Sequence, residues 1–384
     1  MKTLEPIERA RWRKGVVAGL LGLLAGCATA PAPKPAQNFI FYPPPPAPAR
    51  LQFLASYSSE ADLGGGAGKF ATFVTGKEAP KTPIVKPYGL AFSQGKLYVC
   101  DVSSRTVRIL DLEKRKMATF VPQGEGRLRS PINLAVDRDG TRYVADTARN
   151  QVLIYGPNDA YLGALGQSAE VSPPGGAVTS TNPAQAAAGK PEMKPIDVAI
   201  AGNRLYVADL NNHCVRVYDK AKRELLFKIP QNPEGEKDKL FAPTNLALDS
   251  QGRLYVSDIG GFRVQEYDAE GKYLRTFGQL GDRPGEFARP KGVAVDREGR
   301  LYVVDAAAQV VQIFDPEGRL LLFFGEPGGS AAALDLPAKV ILDYDHVTLF
   351  QKYAAPGFVL EYLVIVSNQL GDRKVSVYGF GQKR

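Results

Sequence analysis

Apolar and polar positions alternate along most of the chain in runs of five or six residues, and Gly, Asp, Asn and Pro separate the runs. Runs of that length, rich in Val, Ile, Leu, Tyr and Phe, predict β-strands. The runs recur in one order. A Pro opens an apolar strand, a turn follows, then Tyr-Val-x-Asp, a short polar turn, and a strand closed by an apolar or aromatic residue. The first copy opens at Pro87-Tyr88-Gly89-Leu90-Ala91-Phe92 and continues with KLYVCD (96–101) and TVRILD (106–111). Further copies open at Pro131, Pro195, Pro243 and Pro290, and a degraded sixth opens at Pro337. Each complete copy ends in another apolar stretch, as in 117–121 and 273–278, so four strands per copy are predicted. The motif Tyr stands at 98, 143, 206, 255 and 302, giving spacings of 45, 63, 49 and 47. Four strands at a spacing near 45 suit a propeller blade.

The sixth copy stops after its third strand, at Phe380, while residues 50–58 (RLQFLASYS) precede the first copy and read as a spare fourth strand. The expected fold is all-β. It is a six-bladed β-propeller of four-stranded antiparallel blades, with the N-terminal strand completing the last blade and leaving no open edge. The repeat resembles the NHL repeat, best over 241–315. FGQLGDRPGEFARPKGVAVDREGRLYVVD (277–305) and Asn211-Asn212-His213 before Val215-Arg216-Val217-Tyr218 carry the resemblance. It covers 84–335 well and 337–381 poorly. The only Trp, Trp12, lies outside the repeats. That argues against WD-type and quinone-binding propellers, whose blades usually carry Trp.

Composition narrows the chemistry. Of 384 residues 44% are hydrophobic, which excludes wholesale disorder. Three Cys without a CxxC pair exclude a disulfide scaffold and c-type haem attachment, and two His leave little for a His-rich metal site. The N-terminus reads as an address. Lys2, Arg9, Arg11, Arg13 and Lys14 precede an uncharged run from Gly15 to Gly26, too short to span a bilayer. Leu24-Ala25-Gly26-Cys27 resembles the lipobox of bacterial lipoproteins. That resemblance implies cleavage after residue 26, acylation of Cys27 and, with Ala at 28, an outer-membrane destination in a two-membrane cell. Whether the periplasmic or the outer surface is meant stays open. Residues 27–49 are Pro-rich and predict an extended tether, interrupted by Phe39-Ile40-Phe41-Tyr42, a patch expected to dock on the folded part. The expected organisation is a signal peptide (1–26), a lipidated tether (27–49) and a propeller (50–384). Insertions near 167–194 and 345–361 break the period.

The Asp ending each Tyr-Val-x-Asp (Asp101, Asp146, Asp209, Asp258, Asp305) is expected to fix turns, because a position repeated in every blade is scaffold. The residue two after each blade-opening Pro varies: Gly89, Asn133, Asp197, Asn245, Gly292, Lys339. These should ring one mouth of the central channel. Asn133, Asp197 and Asn245 offer oxygen ligands for Ca²⁺ or another divalent cation. Six-bladed lactonases of the gluconolactonase and paraoxonase type use a comparable cluster, but no Glu is evident here and Lys339 adds a positive charge. His213 reads as a turn residue, and Cys100 and Cys214 as buried free thiols. The net charge of +8 is a weak hint of nucleic-acid binding, which the export signal argues against; anionic envelope partners fit better.

The leading expectation is therefore a monomeric, membrane-anchored envelope lipoprotein. It would act as a non-catalytic scaffold for a protein or polymer partner. Two alternatives stand beside it: a divalent-metal hydrolase or lactonase in the channel, and a structural accessory of an extracellular electron-transfer or export complex.

Overall fold

The computed structural model describes residues 39–64, 82–166, 192–231 and 237–383. The predicted signal peptide, Cys27, the tether to residue 38 and insertion residues 167–191 lie outside the described residues. Six antiparallel sheets form the molecule, five of four strands and one of five. Their inner strands are Pro87–Ser93, Pro131–Val136, Pro195–Ala201, Pro243–Leu248, Pro290–Val295 and Pro337–Asp343. Each touches the inner strands of both neighbours, and the sixth returns to the first. The expected six-bladed propeller is what forms.

Side chains of a strand alternate between its two faces, and here both faces meet a neighbouring blade. In blade 1, Tyr98 and Cys100 pack with Leu134, Val144 and Tyr155 of blade 2. Leu97 and Val99, pointing the other way, pack with Leu363, Ile365 and Val377 of blade 6. The same division gives a separate apolar cluster at every blade interface, which is why the second strands read as unbroken apolar runs.

Ring closure uses both ends of the chain. Leu51–Tyr57 pairs antiparallel with Val375–Lys383, with Leu51 opposite Phe380. The sequence pattern begins the propeller at residue 50. The structure begins it earlier, because Phe41–Tyr42 adds a fifth strand against Leu51–Tyr57, with Phe41 opposite Gln52. Phe41 lies 5.5 Å from Phe358, and Tyr42 lies 6.1 Å from Phe324 and 6.3 Å from Tyr378. Aromatic burial at that edge draws the end of the Pro-rich stretch onto blade 6.

The insertion at 345–361 is ordered. It contains one helical turn, Val347–Phe350, followed by a 3₁₀ turn, and its end is already part of the long strand Phe358–Asn368. Phe350 and Phe358 join the apolar cluster between blades 6 and 1. His346 fastens this segment to blade 1. Its ring stacks on Phe92 at 4.4 Å, Nε2 accepts the Gly95 N–H at 2.8 Å, and Nδ1 faces the Asp343 carboxylate at 2.9 Å. The segment therefore sits at the end of the ring where inner strands turn into second strands, here called the hairpin face. The blade-opening prolines mark the opposite end, the proline face. Of the 167–194 insertion, Met193 packs between blades 2 and 3.

Candidate functional site

The channel is asymmetric. From the hairpin face a cavity of about 410 Å³ enters between the inner strands, lined by residues such as Phe92, Val136, Ile200 and Leu342. Lys339 stands at its inner end. Beyond it lies the ring of residues two after each Pro. Asn133, Asp197 and Asn245 are fully buried, and Lys339 is 6% exposed. The ring is tight where Gly occupies it. A Cβ on Gly89 would stand 2.5 Å from Asn133 Cα, and one on Gly292 would stand 2.6 Å from Lys339 Cα. Only Gly lets the inner strands approach this closely.

The structure brings Asp197 and Lys339 together across the channel. Asp197 Oδ2 accepts from the Lys339 ammonium and, at 2.8 Å, from the Leu246 N–H of blade 4. Oδ1 accepts from the Val198 N–H at 2.9 Å. Burial pushes the carboxyl upward, against Lys339 and the two amides, which hold it down. Asn133 Nδ2 donates to the Ile196 carbonyl of blade 3 at 2.9 Å. Ser367 Oγ receives the Lys339 N–H at 3.1 Å and donates to the Tyr88 carbonyl of blade 1 at 2.6 Å. Ring residues thus tie blade to blade. Some capacity is left over: among the described residues Asn133 Oδ1, Asn245 Oδ1 and Ser257 Oγ have no hydrogen-bond partner.

Chemistry of the cation-ligand kind fits this set poorly. The one carboxylate faces an ammonium, and among the described residues no group of three His, Cys, Asp or Glu gathers elsewhere. Cys100 and Cys214 are free and buried. Burial pushes the Cys214 thiol up to about 11 and the Cys100 thiol well above its usual value, where nearby Asp197 and Asp146 add to the effect. Both stay protonated and weakly nucleophilic. His213 occupies a left-handed turn position, φ 50°, as do Arg105, Asn150, Phe262 and Gln309 in blades 1, 2, 4 and 5, and its Nδ1 meets the Phe241 carbonyl.

The motif aspartates do one job in every blade. Asp146 accepts the N–H groups of Arg129 (2.6 Å) and Ser130 (2.9 Å), just before the blade-opening Pro, and of Ala148 and Arg149 in the following turn. Asp305 does the same for Ala288, Arg289, Ala307 and Ala308. Asp101 holds Val85, Lys86 and Ser104, Asp209 holds Lys194 and Asn212, and Asp258 holds Phe241 and Ala242. In blade 6, Asn368 takes the place and accepts from Asp335 N.

Four residues on the proline face escape the sequence reading. Tyr88, 9% exposed, lies over the ring, and Lys291, 5% exposed, places Nζ 5.2 Å from its ring centroid. Lys86 and Arg289 lie close enough to act on Lys291. Burial, then Arg289 and Lys86, pushes its ammonium down to about 8. Burial pushes the Tyr88 hydroxyl up to about 12 beside Asn245, which counters the rise. The signal was present one residue either side of each blade-opening Pro, where the composition changes from blade to blade.

Residues 193–218 match the NHL repeat. That NHL segment comprises the first three strands of blade 3. Comparison with curated proteins gives no match. Among solved structures, a gluconolactonase from Xanthomonas campestris superposes with TM-score 0.52 at 14% identity, over 90% of this chain and 99% of its own. A Bacteroides thetaiotaomicron protein of unknown function gives 0.53 at 16% identity, over 86% and 75%. A streptogramin B lyase gives 0.49 at 13% identity, over 77% and 83%. At these identities the likeness is one of fold.

Proposed function

We propose that this chain is an exported, lipid-anchored propeller that works as a non-catalytic scaffold, binding an envelope protein or polymer through its loops and one face. The state of Asp197 carries the non-catalytic reading. Its carboxylate is spent on the Lys339 ammonium and two backbone amides, so a cation placed there would have to displace a buried Lys. A role as structural accessory of an extracellular electron-transfer or export complex is a special case, in which the partner is the complex.

A divalent-metal hydrolase is the second reading, favoured by the unpartnered oxygens of Asn133 and Asn245 and by the fold shared with the Xanthomonas campestris gluconolactonase. Asn133, Asp197 and Asn245 would have to hold the ion, and Lys339 opposes it. Metal analysis of the purified protein separates the readings. The scaffold reading expects no stoichiometric Ca²⁺ or other divalent ion; one ion per chain, lost in Asp197→Ala, overturns it.

Anchoring has its own test. In Cys27→Ser, acylation is expected to vanish and the protein to leave the membrane fraction for the soluble one. Retention on membranes with Ser at 27 would refute the lipid-anchor reading.

A further inference from the structure

We infer that the proline-face mouth of the channel is an oxyanion site, built by Lys291 with Lys86 and Arg289 over the buried polar ring, which takes a phosphate or carboxylate group of the bound partner. The inference deepens the scaffold reading by naming what one face recognises, and it rests on that reading only for the nature of the partner. Three observations carry it. Lys291 is 5% exposed, and among the described residues its ammonium has no hydrogen bond or ion pair; it stands 5.2 Å from the centroid of the Tyr88 ring. Buried charges are ordinarily paired, because leaving one unpaired is costly. The charged side chains that act on it most strongly, Arg289 and Lys86, are cations too, and each is free of an ion pair among the described residues. Finally, Asn245 is fully buried at the same mouth, its amide group turned to the Tyr88 hydroxyl and its Oδ1 without a hydrogen-bond partner among the described residues.

The geometry explains how one site draws on several blades. Lys291 belongs to blade 5 and Tyr88 to blade 1. Between them blade 6 presents only the methyl of Ala338 at the matching position, so the Lys291 side chain reaches across. The residues just before the blade-opening Pro add charge on alternate blades: Lys86, Lys194 and Arg289 in blades 1, 3 and 5. The other three blades have Ser130, Ala242 and Leu336 there. Cations spaced around an opening whose floor is a buried polar ring focus an attractive potential for an anion. A phosphate or carboxylate oxygen at Lys291 would supply the missing counter-charge.

Calorimetric titration of the purified protein with inorganic phosphate, and in parallel with acetate, tests this at constant ionic strength set by chloride. One saturable phosphate site per chain is expected. Affinity should fall at least tenfold in Lys291→Met and in the Lys86→Ala/Arg289→Ala double variant, and stay unchanged in Lys116→Met on the outer strand of blade 1. Thermal unfolding of Lys291→Met should show a melting temperature no lower than that of the wild type, so that lost binding is not lost folding. Acetate binding of similar strength would assign the site to carboxylates as well; phosphate alone would assign it to phosphoryl groups. Binding of neither ion, or equal phosphate affinity in wild type and Lys291→Met, overturns the inference. Metal content and membrane release decide the scaffold reading separately.

Discussion

Asp197→Ala is expected to destabilise the protein by about 3–5 kcal/mol, the usual cost of stranding one member of a buried ion pair. The variant leaves the Lys339 ammonium, 6% exposed, without its counter-charge, and it removes the acceptor of the Leu246 N–H. Removing both charges tells a different story. In Asp197→Leu/Lys339→Met the desolvation penalty disappears together with the attraction, so at least half of the lost stability should return. Chemical denaturation of the wild type, both single variants and the double variant measures the coupling. An Asp197→Ala protein as stable as the wild type would show that the carboxylate does not bind the ring together. It would also return Asp197 to the pool of groups free for other chemistry.

Asp146→Ala should cost about 3 kcal/mol, from the N–H groups of Arg129, Ser130 and Ala148 left without an acceptor at about 1 kcal/mol each, while the Arg149 N–H keeps the Asp146 carbonyl. Asp146 suits this test because it is fully buried and forms no ion pair among the described residues, so the measured loss belongs to backbone hydrogen bonds. Asp146→Asn keeps one carbonyl oxygen and should lose less than half as much. Blade 6 already runs this substitution: Asn368 accepts from Asp335 N and donates to the Arg373 carbonyl at 2.8 Å. Equal losses for the Asn and Ala variants in urea melts would mean that the negative charge, and not the acceptor geometry, holds the turn.

The blades were legible because a repeat states the same instruction several times. Pro opens a strand, Tyr-Val-x-Asp closes the next, and local chemistry suffices to place both. The partnership of Asp197 with Lys339 was not legible. The two residues belong to blades 3 and 6, and only closure of the ring brings them across the channel. Lys291 escaped for a related reason. Nothing near it in the chain says that blade 6 offers a bare methyl at Ala338, or that the residue it reaches is Tyr88. The fifth strand at Phe41–Tyr42 was hidden by its surroundings, since prolines on both sides read as an extended spacer. What fixes it is the aromatic surface of Phe324, Phe358 and Tyr378, supplied from the far end of the sequence. The insertion at 345–361 shows in the sequence only as a break in the period. Its apolar residues resolve into an interface with blade 1, through Phe350 and the His346 stack on Phe92.

Blade 6 also sets an order of events for the nascent chain. Leu51–Tyr57 is made long before its partner Val375–Lys383, with blades 1 to 5 lying between them in the chain. All five intervening blades must be made before that pair can zip, and bridging so long a loop is entropically slow. Blades 1 to 5, each a contiguous meander, can form as they emerge. An apolar strand waits meanwhile with its hydrogen-bonding edge bare, an invitation to pairing between copies. The strand that closes the ring is therefore the one left bare for longest while the ring is being built, and a chaperone with a taste for extended apolar segments would find its natural client in residues 51–57.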